Sequence, residues 1–186
     1  MVTAKRWKLT RSVVLVGMMG AGKTAVGRAL AGRLGVPFRD SDVEIEKAAS
    51  MTISEIFQRD GEEFFRAREA EVIDRLLDEA PAILSVGGGA FLAQRNRETI
   101  ARKGFSVWLD ADLDLLWSRV KHKNTRPLLR TAQPRETLRE LCETRVPLYA
   151  LADVRVAAHR DYTIDDMAAR VEAALAAHGD VLKEAT

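Results

Sequence analysis

The sequence predicts an α/β domain in which a five-stranded parallel sheet carries helices on both faces. Two observations lead there. Five short apolar runs recur along the chain, and each is followed by a segment with helical periodicity. Strands that alternate with helices pair in parallel through crossovers, which cover both sheet faces. The length, 186 residues, suits one domain (1–186, with a core over about 11–176) that buries about 70% of the surface its unfolded chain would expose.

The first run, 13–16, is followed by a helix from Lys23 that sets Val26, Leu30 and Leu34 on one face and stops at Gly35 and Pro37. A second strand is predicted over 36–39. After it comes a longer helical excursion, where Thr52 and Glu55 have the spacing of a capping box ahead of Ile56 and Phe57. This excursion, about 41–70, has the character of an inserted substrate module. Strands three and four are predicted over 82–86 and 105–109. The stretch 121–134 holds His122, Lys123, Asn124, Arg126, Arg130 and two prolines between helical segments, and with its approach from 119 it reads as a mobile lid. The fifth strand is predicted over 154–157. A closing helix has Thr163 as its N-cap and Ile164, Met167, Val171 and Leu175 facing inward. Residues 179–186 read as a loosely held tail.

Hydrophobic residues make up 47% and charged residues 30%, which fits neither a disordered chain nor a membrane protein. The formal charge of +2 is too small to imply a polyanion-binding surface, so any anion site must be local. Cys142 is the single cysteine, which excludes an internal disulfide and a cysteine-cluster metal site and makes a reducing cytoplasm the default setting. Lys5, Arg6, Lys8 and Arg11 before the 13–16 run loosely resemble a signal peptide, but the run breaks into glycines and Lys23. No stretch approaches the roughly 18 apolar residues of a membrane span.

The strongest chemical signal is Gly17-Met18-Met19-Gly20-Ala21-Gly22-Lys23-Thr24, which fits G-x-x-x-x-G-K-[ST] between a predicted strand and a predicted helix. In this motif backbone N–H groups turn inward around a polyphosphate and the helix N-terminus adds partial positive charge. Lys23 would reach the β- and γ-phosphates and the Thr24 hydroxyl would ligate Mg²⁺. Such a loop needs a carboxylate at a neighbouring strand end, and two are available, Asp40 and Asp110. Asp110 closes the better apolar run, yet with Asp112 and Asp114 it also looks like ordinary helix N-terminal charge. Asp40 has Asp42 two residues on, so that metal and substrate can be divided between them, although a turn plus helix cap has the same spacing.

Three further stretches stand out. Gly87, Gly88 and Gly89 follow the third predicted strand, where glycines permit close approach of backbone to a ligand; a tight turn explains them about as well. Arg66 and Glu69 share a helix face, and from spacing alone a solvated ion pair is the commoner reading. Arg126 and Arg145 each sit beside a proline, as surface charges or, together with Arg66, as guanidinium forks for a carboxylate and a phosphoryl group. His122, His159 and His178 share no ligand spacing and Cys142 has no nucleophile motif. Trp108 and Trp117 read as core, and Trp7 as a surface residue.

Taken in order, the 17–24 loop, Asp40-Ser41-Asp42, 61–69 with Arg66, Gly87-Gly88-Gly89, Thr125-Arg126-Pro127-Leu128-Leu129 and Arg145-Val146-Pro147-Leu148-Tyr149 make the chain, over about 13–160, resemble the shikimate kinases. That resemblance implies the three-layer P-loop kinase fold with sheet order 2-3-1-4-5, a helical substrate module and a lid over ATP. It implies transfer of the ATP γ-phosphoryl group to the 3-hydroxyl of shikimate, on the route to chorismate and aromatic amino acids, by a cytoplasmic monomer using Mg²⁺. Asp42 would hold the ring hydroxyls and accept the proton, with Lys23 and Arg126 as the other catalytic groups. Arg66 and Arg145 would clamp the carboxylate, and Gly87, Gly88 and Gly89 would meet the acceptor. Gly20, Ala21, Gly22, Lys23, Thr24, Ala25 and Arg126 would meet ATP, and Asp40 would act on the metal through water. No sharp motif marks the adenine side, where Arg119 and the His159–Arg160 region are the expected contacts. Ala25 departs from the family, which commonly has Lys-Ser-Thr where this chain has Lys-Thr-Ala. The alternatives are a kinase for another small polyol or acid such as gluconate, and a nucleotide-binding regulatory or nucleic-acid module, which lacks an aromatic-interleaved basic patch here.

Overall fold

A computed structural model of the chain describes residues 7–123 and 125–185. Met1 to Arg6, Asn124 of the expected lid and Thr186 lie outside the described residues. In chain order the elements are β1 (Trp7–Leu9), β2 (Ser12–Val16), α1 (Lys23–Leu34), β3 (Phe38–Asp40), α2 (Ser41–Ala49), α3 (Ile53–Asp78), β4 (Ile83–Ser85), α4 (Gln94–Lys103), β5 (Gly104–Asp110), α5 (Leu113–Val120), α6 (Pro134–Tyr149), β6 (Val154–Ala157), α7 (Ile164–Ala177) and β7 (Leu182–Glu184).

Five strands form a parallel sheet in the order β3-β4-β2-β5-β6. Counted along this sheet alone, that is the 2-3-1-4-5 order. The central strand β2 is buried at every residue, as a strand covered on both faces must be, and its Val14 pairs with Leu84 on one side and Ser106 on the other. The second strand sits later than its apolar run suggested. The Val36 N–H bonds back to Ala31 to finish the α1 terminus, so pairing begins only at Phe38. The strand therefore ends on Asp40, at the carboxyl edge where open α/β sheets bind ligands. Helix α1 packs on α7, α3 on α2 and α4, and α5 on α6. Leu15, Leu30, Ile73, Leu76, Leu84 and Leu109 are among the fully buried side chains that join these layers.

The capping box at Thr52 and Glu55 forms as the spacing predicts, and Thr163 caps α7 by a second one with Asp166. Helix α3 is broken at Gly61 (φ 83°, ψ 172°), which divides the segment 53–78 into two arms.

Three expectations are corrected. The described part of the expected tail is held in place, because Leu182–Glu184 pairs antiparallel with Trp7–Leu9 and seats Val181 and Leu182 in the core. Trp7 is a half-buried member of that ribbon, and its indole Nε1 donates to Glu172 Oε1 at 3.1 Å. Ile164 does not face inward: it is 52% exposed at the start of α7, while Met167, Val171 and Leu175 are buried. Trp108 is buried in the core and Trp117 packs partly against it.

Candidate active site

The loop between β2 and α1 turns on Gly20 (φ 81°) and Gly22 (φ 96°), left-handed conformations that residues with a Cβ rarely adopt. Helix α1 opens with no side-chain cap and no acidic residue in its first turn, which leaves its N-terminal N–H groups and partial positive charge for an anion. Lys23 Nζ lies over this loop, donating to Gly17 O at 2.8 Å and Met18 O at 3.1 Å. Burial, reinforced by the charge of Arg126 and opposed by Asp42 and Asp40, lowers the Lys23 ammonium to about 8. Arg119 Nη1 donates to Gly20 O at 2.9 Å and so braces the same loop from α5.

Asp40 has two tasks. Its Oδ1 accepts from the backbone N–H of Asp42 (2.9 Å) and Val43 (3.4 Å), capping α2, while Oδ2 accepts from the Thr24 hydroxyl at 3.3 Å. The helix-cap reading and the metal-edge reading of Asp40 are thus compatible, one on each carboxylate oxygen. Hydroxyl and carboxylate oxygens are the hard donors that suit Mg²⁺, which takes few protein ligands and completes its shell with phosphate and water. Among the described residues no cluster of three or more His, Cys, Asp or Glu side chains would hold a metal by itself. Asp110, the other candidate, is paired with Arg155 at 2.6 Å and lies outside the lining of the cleft at this loop. Asp42 stands next to the cap, and burial, with the charges of Asp40 and Glu69 adding and Lys23 opposing, raises its carboxyl to about 6.

The turn after β4 faces three charged side chains, one per glycine. A Cβ added at Gly87 would lie 3.0 Å from Asp42 Oδ1, at Gly88 3.3 Å from Arg145 Nη1, and at Gly89 2.5 Å from Arg66 Nη2. Side chains at these positions would push the charged groups apart, so the glycines are what permit the convergence. Arg66 is held from behind by Glu69 at 2.8 Å, with Glu62 more loosely at 3.6 Å. The solvated-pair reading of Arg66 and Glu69 is corrected here: Glu69 is 1% exposed, and burial raises its carboxyl against the pull of Arg66.

The phosphate-binding loop, the Asp40 and Asp42 carboxylates and the first two glycines of the turn border a cleft of about 500 Å³, whereas Gly89, Arg66 and Arg145 lie outside its lining. Gly20, Ala21, Gly22, Lys23, Thr24, Ala25, Asp40, Asp42, Gly87, Gly88, Arg119 and Arg126 all line it. The Arg126 Nε is buried with no hydrogen-bond partner among the described residues, leaving a donor on the lid side for an anion. Arg160 is exposed and outside the lining, and the far wall is instead made by Lys123, Tyr162, Thr163, Ile164 and Met167. The exposure of Ile164 is explained by this position. Sequence periodicity assigned it to the core, and the missed signal was its place directly after the capping Thr163, at the same sheet edge as the loop. A larger cleft of about 710 Å³ between α2 and α3, bordered by Glu44, Arg59, Phe64, Arg68 and Arg75, contains none of these groups.

The model of the family described as shikimate kinase matches residues 19–176. The chain belongs to the shikimate kinase family. Among relatives, it is 65% identical over 175 residues to the shikimate kinase of Ruegeria pomeroyi, covering 94% of this chain and 90% of that one. It is 61% identical over 176 residues to that of Cereibacter sphaeroides, covering 95% and 88%. Among solved structures, shikimate kinase from Acinetobacter baumannii in complex with shikimate superposes with a TM-score of 0.84 at 37% identity, over 90% of this chain and 94% of that one. Membership makes the chain an ATP-dependent kinase with the P-loop kinase fold. Neither the gluconate alternative nor the regulatory one is favoured by these relatives. No described helix is long and apolar enough to cross a membrane.

Proposed function

We propose that this chain transfers the γ-phosphoryl group of ATP to the 3-hydroxyl of shikimate, giving shikimate 3-phosphate and ADP. The observation that carries the reading is the glycine turn at 87–89, against which one carboxylate and two guanidinium groups converge beside a phosphate-binding loop. That arrangement suits a small hydroxy acid. Two forks, Arg66 and Arg145, take its carboxylate, and Asp42 takes its hydroxyls.

Asp42 accepts the proton of the attacking hydroxyl as its oxygen bonds to the γ-phosphorus and the bond to the ADP oxygen breaks. A carboxyl raised to about 6 is a better proton acceptor than an ordinary aspartate while still ionised at neutral pH. Lys23 and Arg126 neutralise charge that develops on the transferring group, and the 20–25 backbone holds the remaining phosphates. Thr24, with Asp40 through water, would hold Mg²⁺, which would supply charge neutralisation for the phosphates when bound. Arg119 on one side and the Tyr162–Ile164 wall on the other border the space for the base, with Arg160 beyond it. In this reading 1–186 is a single domain, with 41–70 the acceptor module and 119–134 a lid that excludes water on closing. We take the protein to act in the cytoplasm, which its lone Cys142 supports, and as a monomer.

The test is acceptor binding. Arg66→Ala and Arg145→Ala are each expected to raise the KM for shikimate roughly 10- to 100-fold, the scale of a lost charge-assisted hydrogen bond, with the KM for ATP little changed. Saturation at unaltered shikimate concentration in both variants would defeat the clamp.

A further inference from the structure

Tyr149 heads the fully buried side chains by volume, with 0% of its surface exposed at the C-terminal end of α6. A phenol in that position could be replaced by phenylalanine without loss of apolar packing, so its hydroxyl calls for a reason. That hydroxyl donates to Gly88 O at 2.6 Å, across 61 residues of sequence. Gly88 is the middle residue of the turn on which the acceptor groups converge. Arg145 and Tyr149 are four residues apart on one face of α6, and both reach the same glycine: a Cβ added there would lie 3.3 Å from Arg145 Nη1 and 3.6 Å from Tyr149 Oη. Behind the ring, Trp108 lies with its centroid 6.4 Å away, so the phenol has little room to swing. Burial raises the phenol and the neighbouring Arg145 charge opposes that rise, which keeps the hydroxyl a neutral donor at physiological pH.

The consequence for the turn follows from peptide geometry. The bond between Gly88 and Gly89 is trans, so the Gly88 carbonyl and the Gly89 N–H point in opposite directions within one rigid plane. Anchoring the carbonyl to Tyr149 therefore turns the Gly89 N–H to the opposite side of the turn. The same bond also ties the end of α6, four residues beyond Arg145, to that turn.

We infer that Tyr149 is a positioning residue for the acceptor: its hydroxyl sets the orientation of the Gly88–Gly89 peptide and the distance of Arg145 from it. The inference rests on the proposed role of this turn and of Arg145 in holding shikimate, and it adds a residue that does not itself touch the substrate. It predicts a selective effect. Removing the hydroxyl loosens acceptor binding and spares the nucleotide, because the loop at 17–24 is built without it.

The experiment measures saturation by shikimate and by ATP in the parent protein, Tyr149→Phe, Arg145→Ala and the double variant, alongside thermal unfolding. For Tyr149→Phe the KM for shikimate is expected to rise roughly five- to tenfold, as for loss of one buried hydrogen bond, with the KM for ATP within about twofold. In the double variant the two effects should combine to less than their product, as coupled residues do. A lower melting temperature with both KM values unmoved, or with both moved together, would mark the hydroxyl as merely structural and overturn the inference. If Arg145→Ala weakens shikimate binding and Tyr149→Phe does not, the inference falls and the acceptor reading stands. If Arg145→Ala has no effect, both fall. A second measurement keeps the hydroxyl at position 149. The chain has two tyrosines, Tyr149 and Tyr162, so 3-fluorotyrosine labelling gives two fluorine signals, assigned with Tyr162→Phe. Shikimate should shift the Tyr149 signal, and a Tyr149 signal unmoved at saturating shikimate would contradict the inference.

Discussion

The two sides of the cleft are built from different materials. The nucleotide side is one contiguous loop that presents backbone N–H groups and a helix N-terminus, with a single buried ammonium lying over it. The acceptor side is assembled from four separate segments, with side chains from three of them, Asp42 on α2, Arg66 on α3 and Arg145 on α6, set against the glycine turn after β4. A backbone cradle recognises any polyphosphate and tolerates variation at the positions between its glycines. A set of side chains held at fixed spacing recognises one acceptor, and each member depends on its supports. Specificity in this protein should therefore be fragile on one side of the cleft and robust on the other.

The strongest way to break this contrast is Asp42→Asn. It should lower kcat by roughly 10²- to 10⁴-fold, the range for loss of a general base, while the protein still binds ATP, measured by calorimetry. Loss of ATP binding in that variant would mean that the two sides are not separable. Next comes Gly89→Ala, which removes no charged group and keeps the backbone N–H of the turn. Its Cβ would lie 2.5 Å from Arg66 Nη2, so the guanidinium must shift from its place beside the turn, and the KM for shikimate should rise about tenfold with ATP saturation unaltered. If Gly89→Ala saturates normally, the crowding argument for the three glycines is wrong.

Acidity sharpens the comparison further. Asp42 works as a base only when ionised, and its carboxyl is raised to about 6. Hence kcat/KM for shikimate should fall about tenfold per pH unit below that value. Lys23 at about 8 loses its charge above that pH, so kcat/KM for ATP should carry an alkaline limb there. In kcat the alkaline limb should move upward, since bound phosphate favours the ammonium. A shikimate profile flat down to pH 5 would remove Asp42 from the base role. The smallest effect on catalysis is expected far from the cleft. Leu182 is 2% exposed in the terminal ribbon, and Leu182→Ala should cost about 2–5 kcal/mol of stability, read from denaturant unfolding, with both KM values unmoved.

The same contrast explains what was legible in the sequence. The loop at 17–24, the helix after it, the capping box at Thr52 and Glu55 and the cap at Thr163 are local patterns, and the sequence predicted each of them, though not that Asp166 completes a second box. The parallel sheet followed from alternation, and its order followed from family resemblance. The acceptor residues were nameable through that resemblance, but spacing alone could not show that Glu69 is buried behind Arg66, because burial depends on what α4 and the turn bring against α3. Ile164 misled for a related reason, since a periodic apolar residue at a helix start can line a ligand cleft as readily as a core. The ribbon of Trp7–Leu9 with Leu182–Glu184 escaped notice because three-residue strands carry too little periodicity, and their partners lie at opposite ends of the chain.

The most direct test of the account is ADP release by the purified protein with ATP and Mg²⁺, comparing shikimate, quinate, gluconate, nucleoside monophosphates and no acceptor. The account predicts release that depends on shikimate, with shikimate 3-phosphate as the product. Release with gluconate alone would leave the nucleotide side intact and contradict the assignment of the acceptor side; a folded, ATP-binding protein with no acceptor-dependent release would contradict the proposed transfer itself.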